Sequence, residues 1–120
     1  MSIRVVHIGT GNVGRLALAE LIDNPIFELV GLCVSTNDKV GRDAGELAGM
    51  DVVTGIKATD DLEAVLASEP ECAVYCAMGD TRMVEAMTDV RQILAAGINV
   101  VGSAPGVLQY PWHVMPDKYI

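Results

Sequence analysis

The stretch Ile3-Arg4-Val5-Val6-His7-Ile8-Gly9-Thr10-Gly11-Asn12-Val13-Gly14-Arg15-Leu16-Ala17-Leu18 decides the fold of this chain. Residues 3–8 form an apolar, β-branched run, the pattern of a buried strand. A G-x-G-x-x-G pattern follows with no gap, and an Ala/Leu-rich helical pattern follows that. Alone, such a glycine pattern says little. Set between a strand and a helix, it is the fingerprint of a dinucleotide-binding turn. Each glycine has its own task. Gly9 allows the tight turn out of the strand, Gly11 lets the backbone approach a pyrophosphate, and Gly14 lets the helix pack close to the sheet. The N–H groups near Asn12 and Val13 then face the diphosphate at the positive end of the helix dipole.

Bulk properties narrow the setting. A chain of 120 residues fits one domain. Its residues are 51% hydrophobic with one Phe and one Trp, so the core must be aliphatic. Sixteen acidic residues against eight basic ones give a formal net charge of −8, which speaks against nonspecific binding to nucleic acid or anionic lipid. No apolar run approaches the ~20 residues a membrane-spanning helix needs, and residues 1–8 lack the basic-then-apolar layout of a leader. Neither nucleic acid nor membrane is therefore an expected partner. Cys33, Cys72 and Cys76 are odd in number and contain no C-x-x-C pair. They read as small buried hydrophobes rather than metal ligands, and as thiols of a reducing cytoplasm.

Beyond the opening, the pattern predicts a helix from Asn12 or Val13 to Asp23, stopped by Asn24-Pro25. A strand over residues 27–34 leads into the polar loop Ser35-Thr36-Asn37-Asp38-Lys39. Residues 43–48 read as a short helical turn ended by Gly49, and residues 56–58 as a weak strand. Asp60 as N-cap with Glu63 three residues on opens a helix through about Ala67. Residues 71–77 are a strand, on which Cys72 and Cys76 share a face. A helix over residues 81–96, with Asp80 helping to cap it and Gly97 after it, precedes a strand over residues 98–101. Met83 and Met87 read as its core-facing stripe. This alternation implies an α/β fold, a Rossmann-type doubly wound parallel sheet of order 3-2-1-4-5. Its ligand crevice lies beyond the carboxyl ends of strands one and four, where the loops over residues 9–14, 77–81 and 102–106 converge.

Residues 1–105 are expected to form the dinucleotide-binding domain. Residues 106–120 carry Tyr110, Pro111, Trp112, Pro116 and Tyr119 in no regular pattern. They read as an irregular tail leading toward a second, substrate domain. His7, inside strand one, reads as a core histidine, and His113 as the better candidate for substrate contact.

The cofactor reading rests on the end of strand two. An Asp or Glu there usually bonds the adenosine ribose of NAD, but this chain has Val34-Ser35, with Asp38 further on. Ser35, Thr36 and Asn37 offer hydrogen bonds to a 2′-phosphate, and Lys39 or Arg42 offers positive charge. NADP(H) is expected in preference, with NAD(H) as the alternative.

The glycine fingerprint, Cys33-Val34-Ser35, Ala77-Met78-Gly79-Asp80 and Gly97-Ile98-Asn99-Val100-Val101 together resemble a known group. It is the N-terminal domain of dihydrodipicolinate-reductase-like dehydrogenases, especially the 2,4-diaminopentanoate dehydrogenase and native amine dehydrogenase branch. The resemblance implies a two-domain NAD(P)-dependent oxidoreductase, a homo-oligomer, acting on an imine, amine or carbonyl compound. It implies that Ala77, Met78 and Gly79 lie along the nicotinamide and that Ser103, Ala104 and Pro105 approach the reacting carbon. A second domain would supply most substrate contacts, so residues 1–120 alone are expected to be inactive. The branch carries a Glu shortly after strand five, whereas this chain has no acidic residue between Asp89 and Asp117; no catalytic acid or base is assigned. Two other readings stand beside this one. The first is a nucleotide-binding or sensing domain without catalysis. The second is an enzyme of the homoserine or meso-diaminopimelate dehydrogenase type.

Overall fold

β1 (Ile3–Ile8) runs through the middle of a parallel sheet, and its composition explains why. Val5, Val6, His7 and Ile8 are all buried, as a strand covered on both faces requires. The computed structural model describes residues 2–76 and 83–102. Around β1 lie α1 (Asn12–Asp23), β2 (Phe27–Cys33), the one-turn α2 (Ala44–Leu47), α3 (Leu62–Leu66), β3 (Cys72–Tyr75), α4 (Met83–Ala95) and β4 (Asn99–Gly102). The sheet order is β2-β1-β3-β4, every pair parallel. Chain direction across the sheet therefore reverses at β1 and β3, which is where an open α/β sheet leaves a crevice.

These four strands stand where the sequence places strands two, one, four and five. The remaining expected strand, strand three over residues 56–58, makes only an isolated bridge, Lys57 with Asp43, and the next residue, Thr59, bridges Cys33. The reason lies in its hydrogen bonds. Thr59 bonds toward β2, donating to the Leu32 carbonyl at 3.0 Å and accepting from the Val34 N–H at 2.9 Å. Ile56 and Ala58 bond the other way, to Ala44, Arg42 and Gly41, at 2.8–2.9 Å. A segment that divides its backbone between two neighbours builds a ladder with neither.

Two apolar layers cover the sheet. One joins Val6, Ile8, Ala73 and Tyr75 to Val65 of α3 and to Ile93 and Ile98. The other joins Leu32 and Val34 to Leu18 of α1 and to Ala44, Leu47 and Ala58. Helices on both faces are what a doubly wound fold requires. The β1–β2 register shifts between Val5 and Val6, so that Val6 faces Gly31. A Cβ at Gly31 would lie 3.0 Å from methyl groups of both Val6 and Val65, tighter than side chains normally pack.

Helix ends follow local chemistry. α1 stops as expected, the Asn24 N–H closing on the Glu20 carbonyl and its side chain accepting from the Ile26 N–H. α3 begins one residue later than the sequence suggests. Asp61, not Asp60, is its N-cap and accepts from the Ala64 N–H at 3.2 Å. Thr59, pinned to β2, turns its hydroxyl to accept from the Asp61 N–H, which fixes where the helix starts. Glu63 remains in the first turn, where the dipole favours it. After α4 the chain turns at Gly97 with φ +80°, as a C′ glycine does.

The cysteines only partly match expectation. Cys33 is buried, and Cys72 and Cys76 are half-buried. Cys76 falls just past the end of β3. Burial pushes the Cys33 thiol up to about 11, with the charges of Asp89, Asp60 and Asp61 adding to it. Burial also raises Cys72. Both stay protonated near neutrality and are poor nucleophiles.

Candidate dinucleotide-binding site

The turn after β1 is built almost entirely from backbone. It leaves the sheet between two neighbouring strand ends. The Gly9 N–H donates to the Cys33 carbonyl at 3.0 Å, and the Cys76 N–H donates to the Ile8 carbonyl at 2.7 Å. Gly9 then adopts φ +96°, a conformation side chains disfavour. At Gly14 an added Cβ would run into the Gly9 carbonyl and lie 3.2 Å from the Cys76 Cβ. This contact is the close helix–strand packing predicted for the third glycine. Gly11 differs: among the described residues a Cβ there would meet nothing within 4 Å. None of the described residues requires a glycine at that position for packing.

Gly11 is also the N-cap of α1, and among the described residues no side chain caps the helix and no acidic residue lies in its first turn. Uncapped N–H groups at a helix start are the kind of feature that binds anions. Val13, in that turn, is exposed.

The loop after β2 reaches the same place. The Lys39 ammonium donates to the Thr10 hydroxyl at 3.0 Å and to the Thr10 carbonyl at 3.4 Å. A positive charge therefore sits on the glycine turn of an otherwise acidic chain. Ser35, Thr36 and Asn37 are all exposed beside it. Arg42, the other candidate cation, pairs with Glu46 at 2.6 Å. Of the two basic residues, the structure brings only Lys39 to the turn.

Three residues hold this end of the sheet in ways the sequence signals weakly. Asp43 caps α2 and accepts from the N–H groups of Gly45, Thr54 and Gly55 at 2.8–3.0 Å and from the Thr54 hydroxyl. The bond from the Thr54 backbone is the largest influence holding its carboxyl below the usual range, and burial opposes it. An Asp two residues before Gly45 suggests such a cap, but its partners 11 and 12 residues on carry no local mark. Tyr75, fully buried, donates to Asp89 at 2.9 Å and ties β3 to α4. His7, also fully buried, has its Nε2 2.8 Å from the Gly9 carbonyl. It is a core histidine as expected, but among the described residues only Nε2 has a partner and Nδ1 has none.

Six of the expected site residues, Ala77, Met78, Gly79, Ser103, Ala104 and Pro105, lie outside the described residues, as do Asp80 and His113. Met87 is buried as the apolar stripe requires.

Fold and turn together define a Rossmann-type α/β domain. The chain belongs to the family described as dihydrodipicolinate reductase, N-terminus, which matches residues 3–106. An amine dehydrogenase of Streptomyces virginiae is 47% identical over 102 residues, covering 85% of this chain and 28% of that protein. The solved structure of an amine dehydrogenase from Mycobacterium smegmatis matches with a TM-score of 0.80 at 28% identity, over 98% of this chain and 34% of that one. A biliverdin reductase from Synechocystis, solved with biliverdin and NADP+, matches with a TM-score of 0.65 over 86% of this chain and 29% of its own; at 16% identity it shows likeness of fold alone. The chain thus spans about a third or less of the length of these proteins.

Proposed function

We propose that this chain is the cofactor-binding part of an NAD(P)H-dependent oxidoreductase that moves hydride between nicotinamide and a C=N or C=O carbon of a small molecule. The observation that carries the reading is the space at Gly11, open among the described residues, beside an uncapped helix start. Gly9 and Gly14 are required by the chain's own geometry, whereas Gly11 is not. The kinship with amine dehydrogenases supports the reaction class. A nicotinamide cofactor supplies the hydride when bound. The chain's part is to hold it. Gly11, Asn12 and Val13 would present N–H groups to the diphosphate, with Thr10 alongside.

NADP(H) is the preferred form in this reading, because Lys39 stands at the glycine turn and Ser35, Thr36 and Asn37 are exposed where a carboxylate would select NAD. The assembly is a homo-oligomer. Its setting is the cytoplasm, in keeping with three free thiols; among the described residues no helix is long and apolar enough to cross a membrane. Ala77, Met78 and Gly79 would border the nicotinamide, and Ser103, Ala104 and Pro105 the substrate. The test is fluorescence titration with NADPH and NADH, followed by turnover of the full-length protein with ketones plus ammonia, linear imines and cyclic imines. Saturable NADPH binding tighter than NADH, with turnover on one carbon class, is expected. Absence of binding to either nucleotide overturns the reading.

A further inference from the structure

His7 occupies a position that an apolar side chain would fill at less cost. It lies in the central strand, paired in register with Leu32 and Val74, and none of its surface reaches solvent. Its Nε2 is 2.8 Å from the Gly9 carbonyl. A carbonyl only accepts, so the proton must sit on Nε2. Nδ1 is then a buried acceptor with no donor among the described residues. Leaving a buried polar atom unpaired is unfavourable, and the Gly9 contact is what offsets it.

That contact falls on the hinge of the turn. Gly9 carries the positive φ, and its carbonyl is the atom against which Gly14 packs. One peptide plane therefore meets the strand, the turn and the helix together. The orientation of that carbonyl fixes the next N–H, that of Thr10, and the course of the chain into Gly11. We propose that His7 is the positioning residue of the glycine turn: its Nε2–H holds the Gly9 carbonyl inward so that the N–H groups after it face the diphosphate. The proposal rests on the dinucleotide reading of the turn. Burial holds the ring below its ordinary 6.5, against the opposing influence of the Gly9 and Gly14 backbone, which keeps it in the neutral form this contact uses.

The two nitrogens make the proposal separable from simple packing. The amide nitrogen of Gln reaches about where Nε2 lies, and that of Asn about where Nδ1 lies. The experiment titrates NADPH into the full-length wild type and into His7→Gln, His7→Asn and His7→Leu. Long-range proton–nitrogen NMR reads the tautomer of the wild-type ring without ligand. The expected results are an Nε2–H tautomer, Gln affinity within about threefold of wild type, and Asn and Leu weaker by about tenfold or more. An Nδ1–H or charged ring overturns the proposal, as does a folded Leu variant that binds like wild type. Where Asn and Leu do not fold, the tautomer and the Gln affinity decide it. A wild type that binds neither nucleotide removes the dinucleotide reading instead, and this proposal with it.

Discussion

The turn after β1 and the segment between β2 and α3 rise from adjacent strand ends, yet different forces hold them. In the first, backbone meets backbone: Gly14 against the Gly9 carbonyl, Gly9 against Cys33. In the second, one carboxylate gathers a loop, with Asp43 binding residues as far on as Thr54 and Gly55. The first arrangement tolerates no added atom at its packed glycines. The second depends on that side chain and on one packed glycine of its own, Gly45, where an added Cβ would run into the Val52 carbonyl. Under the proposed function, the backbone-held turn would hold the diphosphate and the carboxylate-held loop would meet the ribose end.

The sharpest way to break this contrast is to compare two glycines of the same turn. Gly14→Val should destabilise the fold by ~3 kcal/mol, because the new side chain must displace backbone. Gly11→Val, at the N-cap of α1, should cost only ~1 kcal/mol, but lower NADPH affinity by at least about 100-fold, since its side chain would point where the pyrophosphate lies in the proposed function. Denaturant unfolding and nucleotide titration read the two effects separately. Equal stabilities for both variants would erase the distinction.

On the loop side, Asp43→Ala should cost ~2 kcal/mol, as a cap and two further N–H groups, of Thr54 and Gly55, lose their acceptor. The exposed neighbour Ser35→Ala should change stability by less than ~0.5 kcal/mol. Ser35→Asp should instead act on selectivity. A carboxylate at the end of β2 repels a 2′-phosphate and offers the ribose hydroxyls an acceptor, shifting the NADPH/NADH preference by about tenfold toward NADH. Titration of both nucleotides decides it.

The smallest effect is on acid stability. The folded-state pKa of His7 is lowered, so the unfolded chain takes up that proton first as pH falls. Stability should be fully present above about pH 6.5 and decline below it. The Asp43 carboxyl is also lowered, so its contribution is present above about pH 3.9 and is lost as pH falls through its folded value. Thermal melts across pH should show two stages, with His7→Gln removing the earlier one.

The sequence exposes the backbone-held region well and the side-chain-held region poorly. Glycines at fixed spacing between a strand and a helix state their geometry directly, and β1, α1 and the start of the turn lie where that pattern places them. Residues 56–58 look like a strand because their alternation is that of one. Nothing local reveals that Ile56 and Ala58 are already bonded to residues 41–44. Asp60 and Asp61 are equally good caps by residue type, and only the Thr59 hydroxyl selects between them. At the site, Lys39 is legible as a cation in the right loop. Its bond to Thr10, 29 residues earlier, is a fact of tertiary structure.

That bond also bears on how fast a ligand can be taken up and released. A lysine on an open loop would surrender its side-chain freedom only when a ligand arrives, which weakens binding. Lys39 has surrendered much of it already, anchored on Thr10. Under the proposed function, an incoming phosphate exchanges one hydrogen-bond acceptor for another. On departure the ammonium returns to the hydroxyl rather than to bulk water. The anchor thus works as a resting contact, and a Thr10→Val change would convert an exchange into a search.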